Sequence, residues 1–150
     1  MTATKKTPAA DRLFCYGSLQ VAEVICEVIG RTPSGQPATL PDYRPFRIKG
    51  ATYPGIALTE GAKTPGVVLC DLTENEFARL DAVEGEPYER KLKQVRISSG
   101  SSVAAWVYLL PADKLNCLSE EVWDLAAFRR NDLGEFMRRC LGIPAEGEAE

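Results

Sequence analysis

Phe14-Cys15-Tyr16-Gly17-Ser18-Leu19 is the stretch from which we interpret the rest of this sequence. An apolar run leads into a glycine, which predicts a short strand over 12–16 that ends in a tight turn. Apolar residues recur with helical spacing over 21–29, so a helix is predicted directly after the turn. Backbone amides exposed at a strand-to-helix turn form a small cradle for an anion or a carbonyl. The alternative is an ordinary tight turn with no ligand.

A second helix is predicted over 74–84, further along the chain. Thr73 and Glu76 have the Thr-x-x-Glu spacing of a capping box, which marks the first turn of a helix. Gly85 and Pro87 are residues that end a helix, so the helix is expected to stop there.

This helix carries a carboxylate in line with its own apolar contacts. Phe77, Leu80 and Glu84 are three and four residues apart, so they share one stripe of the helix surface. Burial raises the pKa of a carboxyl group, and a carboxylate with a raised pKa is suited to act as a general base near neutral pH. The alternative is that Glu84 bends into solvent or pairs with Arg90 or Lys91.

Other polar and aromatic residues receive more ordinary assignments. Asp81, Glu86 and Glu89 are interpreted as surface charges, although Asp81 has the position to tether a neighbouring loop. Tyr53 and Tyr88 are interpreted first as packing residues. Either phenol could also hydrogen-bond a ligand, and Tyr88 is better placed because it follows the Glu84 turn. Buried packing positions are predicted for Cys15, Trp106, Trp123 and Phe128.

The remaining segments predict a small mixed sheet with a few helices packed on it, which is an α+β domain. Short strands bounded by turns are predicted over 43–49, 55–58, 67–72, 88–97 and 103–110. Residues 60–63 are predicted to be a turn, and 32–37 a loop. A helical region is predicted from about Ser119 to Leu141, with a break near Asn131.

Composition excludes several classes of function. The 150 residues contain no histidine, which excludes a Ser-His-Asp or Cys-His hydrolase and every metal site that needs an imidazole. The five cysteines include no Cys-x-x-Cys pair, so reduced thiols in the cytoplasm are expected. With a net charge of −3 and no basic stripe, no nucleic-acid partner is expected. The longest apolar run, 103–110, is too short for a membrane span, and residues 1–8 do not have the pattern of a signal peptide.

Taken together, the motifs resemble the γ-glutamylcyclotransferase-like family, and most closely its avirulence-induced-gene-like branch. The resemblance covers roughly residues 12–110, and these motifs appear in the same order as in the family. They are 14–20 (Phe-Cys-Tyr-Gly-Ser-Leu-Gln), Arg31-Thr32-Pro33, Lys49-Gly50, Tyr53-Pro54-Gly55 and 80–90 (Leu-Asp-Ala-Val-Glu-Gly-Glu-Pro-Tyr-Glu-Arg).

The resemblance implies a small, partly closed β-barrel with flanking helices and a cavity at one end. We expect this domain over 12–142, between a flexible arm over 1–11 and an acidic tail over 143–150. Relatives cyclise a γ-glutamyl amine or amide to 5-oxoproline and release the amine, without a metal or an organic cofactor. The expected partner is that small substrate, with no nucleic acid and no membrane. The sequence leaves the oligomeric state open.

The resemblance also assigns residues to roles. Glu84 matches the acid/base of the family, and Tyr16, Gly17, Ser18 and Leu19 match its substrate-binding loop. The sequence departs from the family pattern at Val83, where phenylalanine is usual, and at 20–22, where basic residues often follow the loop. The second departure motivates an alternative, a non-catalytic module that binds a small metabolite in the same cavity. A third hypothesis is a redox-responsive interaction protein that uses Cys26 or Cys117.

Overall fold

The computed structural model describes residues 11–85 and 88–142, except for the Cys140 side chain. The predicted tail and nearly all of the predicted arm lie outside the described residues, as do Glu86 and Pro87. The strands are β1 (Leu13–Cys15), β2 (Gly35–Ile48), β3 (Pro54–Leu69), β4 (Glu89–Ile97), β5 (Ser102–Leu109) and β6 (Leu118–Val122). The helices are α1 (Ala22–Ile29), α2 (Glu74–Glu84), α3 (Leu125–Ala127) and α4 (Leu133–Leu141), and 3₁₀ turns cover Ser18–Gln20 and Ala112–Cys117.

Five of the strands form a closed ring. β1 pairs antiparallel with β3 and parallel with β5, β5 pairs with β4, and β4 pairs with β2. Antiparallel pairing of β2 with β3 completes the ring, while β6 adds to the second half of β2. The predicted small mixed β-barrel with flanking helices is therefore confirmed.

The short strand β1 separates two apolar clusters. Successive side chains of a strand point to opposite faces, so Leu13 and Cys15 pack with the helices while Phe14 and Tyr16 pack in the barrel interior. All four residues are buried. β1 therefore enters the loop at Gly17 from a position that is fixed by packing on both faces.

Several predicted boundaries in the first half of the chain are wrong. The predicted loop over 32–37 includes the first three residues of β2. The segments 43–49, 55–58 and 67–72 belong to the much longer β2 and β3, and the predicted turn at 60–63 lies within β3. Gly61 has a φ of +84°, and its amide donates to the side chain of Asp42, where the pairing register of β2 shifts. Residues 60–63 therefore form part of a bulge between β2 and β3, and both strands continue past it.

Another predicted boundary is wrong near the end of the chain. The predicted helix start at Ser119 lies in β6, and the helical region begins at Leu125, where the Asp124 side chain accepts a hydrogen bond from the Ala127 amide. The predicted break near Asn131 corresponds to a π-helical turn over Phe128–Asp132. No helix among residues 11–85 and 88–142 is long and apolar enough to cross a bilayer.

The start of α2 agrees with its prediction. The Thr73 hydroxyl accepts from the Glu76 amide, and the Glu76 carboxylate accepts from the Thr73 amide, which is a complete capping box. Arg31, just beyond the end of α1, donates two hydrogen bonds of 2.6 and 2.8 Å to the same carboxylate. The hydrogen bonds from Arg31 lower the pKa of Glu76 to about 2. The end of α1 is thereby fixed to the start of α2.

A buried hydroxyl group inside the barrel generates a stability prediction. Thr64 is fully buried opposite Leu40, and its hydroxyl has no hydrogen-bond partner among the described residues. Burying an unpaired hydroxyl costs about 1 kcal/mol or more. We expect Thr64→Val to raise the free energy of unfolding by about 1 kcal/mol, because it removes the hydroxyl and keeps the β-branched shape. Urea denaturation measures this change, and a lower free energy of unfolding for the variant would contradict the prediction.

Candidate functional site

A cavity of about 110 Å³ lies where β1 ends. A single water molecule needs about 10–15 Å³ of such space, so the cavity accommodates a small organic molecule. Among the described residues, its lining contains one carboxylate and four tyrosines, and no lysine or arginine. The lining residues are Phe14, Cys15, Tyr16, Gly17, Ser18, Leu19, Tyr53, Pro54, Val83, Glu84, Tyr88, Tyr108 and Phe136. All six residues predicted for the site are among them.

The loop after β1 lines the cavity with Gly17, Ser18 and Leu19, each of which carries a backbone donor. The 3₁₀ turn is closed by the amides of Gln20 and Val21, which donate to the carbonyls of Gly17 and Ser18. Within the described chain, the amides of Gly17, Ser18 and Leu19 make no backbone hydrogen bond. Because buried amides need partners, these donors are available to a ligand in the cavity.

Glycine is needed at position 17 because the loop passes close to β3. A Cβ atom on Gly17 would lie 3.0 Å from both Cγ and Cδ of Pro54. Pro54 itself lines the cavity, so the approach of the loop to this ring sets the width of the site on that side.

The acid at the end of α2 faces the same cavity. Leu80 is fully buried and Phe77 is 5% exposed, so the predicted apolar stripe of α2 is confirmed, and Glu84 continues it to the cavity wall. Burial raises the pKa of Glu84 to about 7, and the charge of Asp81 adds to the effect. Glu84 keeps some accessible surface because the cavity opens beside it, although its carboxyl group is enclosed by protein.

The predicted alternative for Glu84, a salt bridge with Arg90 or Lys91, is not formed. Arg90 instead pairs with Asp81, and Lys91 pairs with Glu89. No cation in the described part of the chain therefore offsets the burial of the Glu84 carboxyl group.

Two tyrosines of the site use their hydroxyl protons within the protein. The Tyr16 hydroxyl donates to the Tyr108 carbonyl over 2.6 Å, and the Tyr88 hydroxyl donates to the Pro54 carbonyl over 2.5 Å. Burial raises the pKa of both phenols well above the usual value, so both stay neutral near physiological pH. Each phenol oxygen keeps lone pairs and can accept a hydrogen bond from an amine or an ammonium group.

Sequence reasoning missed three contributors to the site. Tyr108 and Phe136 line the cavity, and Asp81 accepts a 2.7 Å hydrogen bond from the Tyr108 hydroxyl. Strand alternation could have indicated Tyr108, which lies on the same face of β5 as Trp106. The three-residue spacing of Asp81 and Glu84 could have indicated that these two acids share one helix face. No comparable signal was available for Phe136, since α4 is distant in sequence.

The buried aromatic and cysteine predictions hold with one exception. Cys15, Trp123 and Phe128 are buried, whereas Trp106 is partly exposed beneath Arg90. Burial raises the pKa of the Cys15 thiol, which opposes a role as a nucleophile. Among the described residues, no group of three or more Cys, Asp or Glu side chains could hold a metal ion.

Comparisons with known proteins support a relationship. The family model described as gamma-glutamyl cyclotransferase, AIG2-like, matches residues 13–125. AIG2-like protein A of Arabidopsis thaliana is 41% identical over 98 residues, which are 65% of this chain and 59% of that protein. The matched region therefore spans less than two thirds of that relative.

Solved structures agree with the family match. A solution structure of an Arabidopsis thaliana protein has a TM-score of 0.67 and 30% identity, and covers 95% of this chain and 99% of that one. A solved gamma-glutamyl cyclotransferase has a TM-score of 0.57 and 22% identity, and covers 67% of this chain and 66% of that one. At that identity the likeness supports the fold alone.

The raised pKa of Glu84 predicts how stability depends on pH. Between about pH 4.5 and pH 7, the folded protein holds a proton on Glu84 that the unfolded chain has released, so stability falls as the pH rises through this window. The full effect is on the order of 3 kcal/mol. Urea denaturation gives the free energy of unfolding of wild type and of Glu84→Gln. We expect the wild-type value, minus the value for Glu84→Gln, to fall by about 3 kcal/mol between pH 4.5 and pH 7. A constant difference between the two proteins would contradict the enclosure of Glu84.

Proposed function

Since this chain belongs to the AIG2-like γ-glutamylcyclotransferase family, as its motifs indicated, we propose that it converts a γ-glutamyl amine or amide into 5-oxoproline and the free amine. The observation that carries the proposal is the position of Glu84 in the same cavity as the free amides of Gly17, Ser18 and Leu19. The Glu84 carboxyl group can accept and donate a proton, and the three loop amides can stabilise a negative charge that develops on the substrate.

Glu84 has the properties of a general base that later acts as an acid. The nucleophile is the substrate's own α-amine, which is mostly protonated at neutral pH and must lose a proton before it attacks. A carboxyl group with a pKa of about 7 can accept that proton and return it to the leaving amine. The α-nitrogen forms a bond to the γ-carbonyl carbon, and the bond from this carbon to the leaving nitrogen then breaks. The α-nitrogen gives up a second proton as the ring closes, and the leaving amine takes it and departs as an ammonium ion. The reaction is therefore balanced without water or a cofactor.

The loop amides support the proposal at the carbonyl. Attack by the amine places negative charge on the γ-carbonyl oxygen, and donors aimed at that oxygen lower the barrier. Losing one such donor in a well-studied protease costs about 3 kcal/mol in activation free energy. The Gly17–Leu19 amides make no competing backbone hydrogen bond with any residue that the structure describes, which supports this role.

The cavity also favours holding the reactants close together. Ring closure is intramolecular, so an enclosed pocket that keeps the γ-glutamyl chain folded supplies a large part of the rate. The phenol oxygens of Tyr16 and Tyr88 can accept hydrogen bonds from the α-amine, because their own protons are directed to backbone carbonyls. Val83, at the site of one departure from the family, lines the cavity and is 44% exposed, which leaves room for a leaving group on that side.

We propose that this activity takes place in the cytoplasm. We also propose that the partner of the protein is a small γ-glutamyl molecule. The thiols of Cys15, Cys26, Cys70 and Cys117 are all unpaired, which supports a reducing compartment. The cavity is of a size for a metabolite rather than for a polymer.

The decisive test is Glu84→Gln, which keeps the size and hydrogen bonding of the side chain but cannot exchange a proton. Acid/base catalysis typically contributes about 100-fold or more, so we expect release of 5-oxoproline from a panel of γ-glutamyl amines to fall at least about 100-fold. Glu74→Gln, on an exposed position of the same helix, is the matched control and should retain activity. Undiminished turnover by Glu84→Gln would overturn the mechanism.

The binding-only alternative predicts a different result from the same panel. Wild type would then gain thermal stability from 5-oxoproline or a similar small acid, yet turn over none of the γ-glutamyl compounds.

A second variant tests the loop. A methyl group on Gly17 meets Pro54 at 3.0 Å, so Gly17→Ala must shift the loop by a few tenths of an ångström. Misplacement by about 1 Å can cost 100-fold in rate, so we expect kcat/KM to fall by about tenfold while the far-ultraviolet circular dichroism spectrum stays unchanged. Wild-type kcat/KM in this variant would show that the loop amides are not used.

A further inference from the structure

Asp81 lies one helical turn before Glu84 and is held by three hydrogen bonds. Arg90 donates to both carboxylate oxygens, from Nε over 2.8 Å and from Nη2 over 3.0 Å. The Tyr108 hydroxyl donates to Oδ1 over 2.7 Å. Partial burial by itself raises the pKa of Asp81, but these hydrogen bonds outweigh it, so the pKa is lowered and the group stays ionised.

The partner of Asp81 is itself held in place. The guanidinium carbon of Arg90 lies 4.5 Å from the centroid of the Phe77 ring and 4.5 Å from the centroid of the Trp106 ring. Cation–π contacts and a bidentate pair both depend on the planar guanidinium. The arrangement joins α2, β4 and β5, so Asp81 has one fixed position relative to the barrel.

The same network reaches the substrate loop. The side chain of Tyr108 bonds Asp81, and its backbone carbonyl accepts from Tyr16, the residue that precedes Gly17. Both tyrosines line the cavity with Glu84. Asp81 is therefore connected to the acid and to the loop.

Few other charges act on Glu84. The ionisable groups that line the cavity with it are Cys15, Tyr16, Tyr53, Tyr88 and Tyr108, while α4 contributes the apolar Phe136. Burial raises the pKa of the Cys15 thiol and of the Tyr16, Tyr88 and Tyr108 phenols, so these four groups are neutral near pH 7. Among the described residues, the charge that acts on the Glu84 carboxyl group is the Asp81 carboxylate, which is paired with Arg90.

We propose that Asp81, fixed by Arg90 and Tyr108, is a positioning residue that sets the pH range in which Glu84 exchanges its proton. The carboxylate at position 81 opposes a second negative charge on the same helix face. Arg90 keeps that carboxylate ionised and weakens its effect on Glu84. The catalytic part of this inference rests on the proposed function, because it takes Glu84 as the base.

The test is a direct titration of Glu84 by carbon NMR of its carboxyl group, with Glu84→Gln identifying the resonance. Asp81→Asn removes the like charge and leaves Arg90 unpaired, and both changes favour the ionised form of Glu84. We expect the pKa of Glu84 to fall by at least about half a unit in this variant. In Arg90→Gln the Asp81 charge is no longer offset, so we expect the pKa to move in the opposite direction. Glu74→Gln, the exposed acid on the same helix, should leave the titration unchanged.

A merely structural role for Asp81 would not produce opposite shifts in the two variants. Shifts in the same direction, or a Glu84 titration unchanged in both, would overturn the proposal. If Asp81→Asn does not fold, Asp81→Ala, which also removes the carboxylate, takes its place in the comparison with Arg90→Gln. In active protein, kcat/KM rises with pH as Glu84 loses its proton, and Asp81→Asn should move this rise to lower pH. If wild type turns over no γ-glutamyl compound, the proposed function fails, while the NMR titration still decides the role of Asp81.

Discussion

Enclosure of the Glu84 carboxyl group by apolar and phenolic side chains is the constraint on which the site depends. An acid in water is ionised at neutral pH and binds protons too weakly to deliver one to a leaving amine. Here burial raises the pKa of Glu84 to about 7, and no cation among residues 11–85 and 88–142 is paired with it. Under the proposed mechanism, the position of α2 therefore matters for function as well as for packing. Its capping box, the contact of Arg31 with Glu76 and the burial of Leu80 together hold that position.

The other half of the site depends on the three residues of β1. Their side chains are buried on both faces, so the strand has little freedom to slide or tilt. The amides of the following loop are consequently directed by the barrel and not by the loop itself. Rigid placement of donors before substrate arrives is what makes electrostatic stabilisation effective, because little reorganisation is needed during the reaction.

The sequence predicted best where the signal was local. The helix from Thr73 to Glu84 and the turn at Gly17 could be predicted because caps, glycines and apolar spacing act over a few residues. The error at 60–63 arose because glycine in a bulged strand has the same local signature as glycine in a turn, and only pairing with β2 distinguishes the two. The sequence predicts a helix at Ser119 because the pairing that makes this residue part of a strand involves β2, about seventy residues earlier in the chain. The roles of Tyr108 and Phe136 could not be predicted for the same reason, since both depend on contacts between distant segments.

The ring of strands is closed by contacts of very different extent. β2 and β3 pair over most of their lengths, whereas β4 meets β2 over two residue pairs, Ala38 with Ile97 and Thr39 with Arg96. The contact of β1 with β5 is also short, but β1 is anchored by apolar packing on both sides. Local opening is easiest where few hydrogen bonds must break. The short pairing between β2 and β4 is thus the place where the barrel opens most easily. We expect the amide hydrogens of these residue pairs to exchange with solvent well before those of β1.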